Sequence, residues 1–90
     1  MLLQGKRGLI FGVANKRSIA WAIARATSGA GAKLCLTYQT ERPADGVREL
    51  AATLPGETPC IECDVVDDAS LDKAFEAVRG RMGGLDFVVH

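Results

Sequence analysis

The stretch Leu9–Ala24, Leu-Ile-Phe-Gly-Val-Ala-Asn-Lys-Arg-Ser-Ile-Ala-Trp-Ala-Ile-Ala, decides how the chain is read. Leu9, Ile10 and Phe11 form an unbroken apolar run, the pattern of a parallel strand covered on both faces. Gly12 follows, a position without a Cβ where the chain can turn and a ligand can come close. Ser18 suits the N-cap of the helix beyond it, because a serine hydroxyl can accept from a free first-turn amide. Ile19, Ile23, Ala26 and Ala30 recur at helical spacing, which predicts one apolar helix face. A helix N-terminus beside the carboxyl end of a strand offers unpaired N–H groups and the positive end of the helix dipole to an anion. The anion that fits there is the pyrophosphate of a dinucleotide. Of the glycine fingerprint G-x-G-x-x-G only Gly12 is present, and a strand–turn–helix in another kind of α/β protein has the same periodicity.

Outward from this stretch, strand and helix signals alternate. The first strand is expected over residues 8–13 and its helix over 18–28, with Gly29 and Gly31 ending the helix. Trp21 fits the outer side of that helix or a subunit contact. Residues 33–38 read as a second strand with Tyr38 and Gln39 at its carboxyl end, where a dinucleotide fold meets the adenosine ribose. Pro43 suits the first turn of a second helix with Val47, Leu50, Ala51 and Leu54 on its apolar face, stopped by Pro55-Gly56. A third strand is expected over residues 59–65. Asp67-Asp68-Ala69-Ser70 then caps a third helix whose apolar face is Leu71, Ala74, Phe75, Val78 and Met82. Gly83-Gly84 ends it, and residues 85–90 read as a fourth strand. The fold class is therefore α/β, a Rossmann-type doubly wound parallel sheet with expected strand order 3-2-1-4. The fourth strand's outer edge would be apolar and unpaired, an aggregation hazard. Ninety residues also fall short of the ~150 that a complete doubly wound domain usually takes. Residues 1–90 are accordingly read as the N-terminal part of one Rossmann-type dinucleotide-binding domain.

Composition narrows the function. The chain is 48% hydrophobic and 24% charged, with 11 basic and 11 acidic side chains. Zero formal net charge speaks against nucleic acid or an anionic membrane as the main partner. No apolar run approaches the ~20 residues of a membrane span. Residues 1–6 are too short and too polar for a signal peptide, so a cytoplasmic location is expected. Cys60-Ile61-Glu62-Cys63 is formally C-x-x-C, but residues three apart on a strand point to opposite faces, and no second pair completes a zinc site. Cys35, Cys60 and Cys63 are read as small buried apolar residues, and no metal ligand is assigned.

Gly12, five intervening residues, Ser18, one more and Ala20 match a G-x5-S-x-A variant of the dinucleotide turn. With Thr37-Tyr38-Gln39 and Cys63-Asp64-Val65, this resembles the NADH-dependent enoyl-[acyl-carrier-protein] reductases of bacterial fatty acid synthesis, a divergent branch of the short-chain dehydrogenase/reductases. The resemblance runs through all 90 residues in order. It implies an NAD-binding role for Gly12, Ser18, Ile19, Gln39, Asp64 and Val65, with the Asp64 carboxylate accepting from the adenine amino group. It also implies an enoyl chain on acyl carrier protein as substrate and a homotetramer as the full-length assembly. Gln39 favours NAD(H) over NADP(H), since Arg42 beside Glu41 is a poor basic cluster for a 2′-phosphate.

The catalytic half of such a reductase lies outside these residues. In the resembled family a tyrosine hydroxyl hydrogen-bonds the thioester carbonyl, NADH gives hydride to the β-carbon, and a lysine holds the ribose. Here Tyr38 stands at the wrong end of the site and is followed four residues later by Arg42, so no catalytic residue is assigned. His90 is read as a strand-end residue near the cofactor crevice. A non-catalytic nucleotide-binding or structural module, or another short-chain dehydrogenase, are the alternative functions.

Overall fold

The computed structural model describes residues 2–39 and 44–90. Seven elements alternate along the chain: β1 (Arg7–Ile10), α1 (Ile19–Gly29), β2 (Lys33–Tyr38), α2 (Ala44–Ala52), β3 (Cys60–Glu62), α3 (Asp68–Met82) and β4 (Phe87–Val89). The strands form one parallel sheet in the order β3-β2-β1-β4, as the sequence predicts. The expected role of Pro43, and Glu41 and Arg42, lie outside the described residues.

Alternation along the strands divides the core into two layers. Ile10, Leu34, Leu36 and Tyr38 point to one face, where they pack with Trp21 and Ala24 of α1 and Val47 and Ala51 of α2. Leu9, Phe11 and Cys35 point to the other, under Ala74 and Val78 of α3. Two helices on one face and one on the other make the sheet doubly wound. The C-x-x-C cysteines follow the same rule. Cys60 packs with the first layer and Cys63 with the second.

The structure corrects the α1 face. Ile19 is 80% exposed and Ala26 is exposed, while Trp21, Ala24 and Ser28 are buried. The helix is apolar nearly all round, from Ile19 through Ala24. Spacing alone therefore selects no face, and the large Trp21 side chain takes the sheet. Phe75 is likewise not fully covered, at 40% exposure. β2 spans residues 33–38 as expected, whereas β1, β3 and β4 stop short of their expected carboxyl ends. After Ile10 the ladder gives way to single bonds, Phe11 N–H to the Val89 carbonyl at 2.9 Å and Val13 N–H to the Thr37 carbonyl at 3.2 Å. The strands part there, and the parting opens a crevice.

Helix ends follow local chemistry. The Asp67 carboxylate caps α3 by accepting from the Ala69 amide at 3.0 Å. Gly83 closes it in the left-handed conformation, and Arg79 and Arg81 complement the negative end of its dipole. At the amino-terminal end of the sheet, the Asp86 carboxylate accepts from the Arg7 backbone N–H at 2.8 Å and from its Nε at 3.3 Å. These bonds hold the Asp86 carboxyl below the usual carboxylate range, the backbone N–H more than the guanidinium.

Candidate cofactor site

Strand carboxyl ends and helix amino ends meet at one edge of the sheet. Gly12 turns the chain off β1 with φ +77°, a conformation that costs any residue with a Cβ. A Cβ there would meet no atom within 4 Å, so the turn borders open space. The loop that follows is tied by its own side chains. The Asn15 carboxamide oxygen accepts from the Arg17 amide at 2.8 Å, and the Ser18 hydroxyl donates to the Asn15 carbonyl at 2.8 Å. The same hydroxyl accepts from the Trp21 amide at 3.2 Å, so Ser18 is the N-cap that the sequence predicts.

Capping of Trp21 leaves the Ile19 and Ala20 amides without an acceptor among the described residues. No acidic side chain stands in the first turn of α1, and Lys16 and Arg17 lie exposed just before it. The positive end of the helix dipole is therefore not neutralised locally, which favours an anion.

Beside this turn lies a cleft of about 190 Å³ lined by Phe11, Gly12, Thr37, Tyr38, Gln39, Cys63, Val65 and His90. It brings together the carboxyl ends of all four strands, where ligands bind in open α/β sheets. Three of the six expected site residues, Gly12, Gln39 and Val65, line it. Ser18, Ile19 and Asp64 do not. Ser18 acts as a cap, and Ile19 stands exposed at the start of α1. Asp64 builds the loop after β3: its N–H donates to the Ser70 hydroxyl at 2.8 Å and its Oδ1 accepts from the Val66 amide at 3.1 Å. One carboxylate oxygen is thus used in a turn, which leaves the other for a ligand.

Phe11, Thr37, Tyr38 and Cys63 line the cleft without having been assigned as ligand contacts, and His90 lines it as the strand-end residue the sequence places near the crevice. Thr37 had a signal, a polar residue inside an otherwise apolar strand run. Phe11 and Cys63 had none, because they read as core. The His90 ring lies against Phe11, centroids 5.8 Å apart. Cys35 and Cys63 are buried as expected while Cys60 is only half-buried, and all three thiols are poor nucleophiles. Burial pushes Cys35 up to about 12 and raises Cys60 and Cys63 above their usual value.

A larger cavity of about 600 Å³, lined by Arg7, Lys33, Glu57 and Arg81 among others, sits at the opposite end of the sheet. The carboxyl end of α3 borders it through Arg81 and Met82, so a cation there answers that helix's negative dipole end. An anionic cofactor fits the Gly12 edge instead, with an open glycine turn, free amides and an apolar cleft wall.

A sequence model described as enoyl-(acyl carrier protein) reductase matches residues 12–90, from the turn glycine through β4. The chain belongs to the enoyl-(acyl carrier protein) reductase family. It is 50% identical over 90 residues to an enoyl-[acyl-carrier-protein] reductase [NADH] FabI of Bacillus cereus, covering 99% of this chain and 35% of that protein. A second relative, enoyl-[acyl-carrier-protein] reductase [NADH] 2 of Rhizobium meliloti, is 48% identical over 89 residues and is covered to 33%. The chain therefore spans about a third of the length of these enoyl reductases. A crystal structure of the Bacillus cereus reductase, with NADP+ and indole naphthyridinone, superposes at TM-score 0.93 with 50% identity, covering 99% of this chain and 35% of that one. One from Anaplasma phagocytophilum, in complex with NAD, superposes at TM-score 0.92 with 46% identity over all of this chain and 34% of that one.

Proposed function

We propose that the protein is an NADH-dependent enoyl-[acyl-carrier-protein] reductase of fatty acid synthesis, reducing a trans-2-enoyl thioester to the saturated acyl thioester. The observation that carries this reading is the family match over residues 12–90, which takes in the Gly12 turn, the amino end of α1 and the cleft. Residues 1–90 are the N-terminal part of its NAD-binding domain. In support, β4 is hydrogen-bonded only to β1 among the described residues, and its Val88 is 48% exposed.

Gly12 gives the cofactor close access to backbone, and the α1 amino end capped by Ser18 faces its pyrophosphate, with Ile19 at the rim. Gln39 stands where the ribose would lie, and Asp64 and Val65 flank the adenine. Bound NADH supplies the hydride; this segment binds and orients it. The relatives' names carry NADH, whereas the Bacillus cereus crystal held NADP+. The neutral Gln39 favours NADH. The substrate is carried on acyl carrier protein, the assembly is a homotetramer and the location is cytoplasmic. In support of the last, no helix among the described residues is long and apolar enough to cross a membrane.

The test is parallel fluorescence titration with NADH and NADPH, then oxidation of NADH in the presence of a trans-2-enoyl thioester. Saturable NADH binding with turnover upholds the reading. Binding without turnover by the native protein leaves a nucleotide-binding module, and no binding removes the cofactor site altogether.

A further inference from the structure

We infer that Thr37 is a positioning residue for the cofactor turn, an inference that rests on the cofactor reading above. Thr37 is 1% exposed, yet its polar atoms are all directed at one neighbouring segment. Its hydroxyl accepts from the Gly12 N–H at 3.3 Å and donates to the Ile10 carbonyl at 3.4 Å. Its carbonyl accepts from the Val13 N–H at 3.2 Å. One residue of β2 therefore grips the end of β1 and the turn after it, before, at and after the glycine that turns the chain.

This grip replaces the regular ladder. The β1–β2 register ends at the pair Ile10–Leu36. The residue after β1, Phe11, gives its amide to Val89 of β4 instead. Gly12 lies beyond both ladders in a backbone conformation that few residues hold unaided. Its N–H is oriented by the Thr37 hydroxyl, and Thr37 itself lines the cleft. Without that hydroxyl the Gly12 peptide can rotate toward solvent, because open space lies beside it. The turn then presents a shifted backbone to the pyrophosphate, and binding energy is lost to reordering it.

The test compares Thr37→Val, which keeps the shape and removes the hydroxyl, with Thr37→Ser, which keeps the hydroxyl and removes a methyl. Both are made in the native protein at its full native length. T37V is expected to weaken NADH binding by about 3- to 10-fold, the effect of one lost hydrogen bond, and to speed amide hydrogen exchange at Gly12. T37S is expected to bind NADH as the wild type does, even where its melting temperature falls. A merely structural threonine predicts the reverse ranking, with affinity following stability. Equal NADH affinity in wild type and T37V, or an equal loss in T37S, overturns the inference. If the wild type itself fails to bind NADH, the cofactor reading falls first. Gly12 exchange then still judges the grip: unchanged exchange in T37V refutes it.

Discussion

Replacing Gly12 with alanine separates the backbone cost of the turn from the space it keeps for a ligand. The added methyl meets no atom within 4 Å, so packing contributes nothing to the penalty. What remains is the backbone at φ +77°, and holding an L-residue there costs about 1–2 kcal/mol. For a chain of 90 residues, about 4–8 °C is lost per kcal/mol, so the melting temperature should fall by roughly 4–16 °C. If the cofactor lies against Gly12, the same methyl occupies its space, and NADH affinity should fall at least about tenfold, or ~1.4 kcal/mol. Thermal melts with and without NADH, and a fluorescence titration on the folded variant, read the two effects separately. An unchanged melting temperature refutes the backbone reasoning. A drop in melting temperature with unchanged NADH affinity refutes the placement of the cofactor at this turn.

Gly8→Ala should be costly for a different reason. A Cβ at Gly8 would fall within the Phe87 ring of the neighbouring strand, and overpacking of this kind costs about 1–3 kcal/mol. Denaturant melts of G8A, Phe87→Ala and the double variant should show that removing the ring relieves much of that cost; strict additivity would count against the contact. The Asp86 carboxyl, held low chiefly by the Arg7 backbone N–H and then by its side chain, stabilises the fold when ionised. That contribution is full above the unfolded value near ~4 and is lost as pH falls through the lower folded value. Acid titration of stability should be shallower in Asp86→Asn, and an identical profile would disprove the linkage. Cys35 behaves oppositely, being raised from 9.0 to about 12 by burial. The fold should lose stability as pH rises from 9 toward that value, because only the unfolded thiol ionises. Below pH 9 an alkylating reagent should leave Cys35 unmodified until the protein is denatured, and rapid native labelling would contradict its burial.

Much of the site was readable because its signals are local. Ser18 precedes an apolar run and caps it within three residues. Gly12 follows a strand and turns. Gln39 and Val65 follow strands and so reach the carboxyl edge. The grip of Thr37 on Gly12 was not readable, because it joins residues 25 apart in the chain and depends on where two strands stop pairing. Asp64 carries two roles in one residue, and spacing could show only that it follows a strand.

The sequence by itself determined the alternation of strands and helices, the strand order expected for that alternation, and the glycine turn and helix cap at the carboxyl edge of the sheet. These depend on periodicity, capping and backbone freedom within a few residues. Tertiary structure alone decided which side of α1 is buried and that Trp21 belongs to the core rather than the surface. It also decided that Gly12, Gln39 and Val65 share one cleft and that one Asp64 oxygen holds the loop after β3. The physical reason is that an Ala-rich helix has several apolar faces of similar quality, and only the shape of the sheet beneath it selects one.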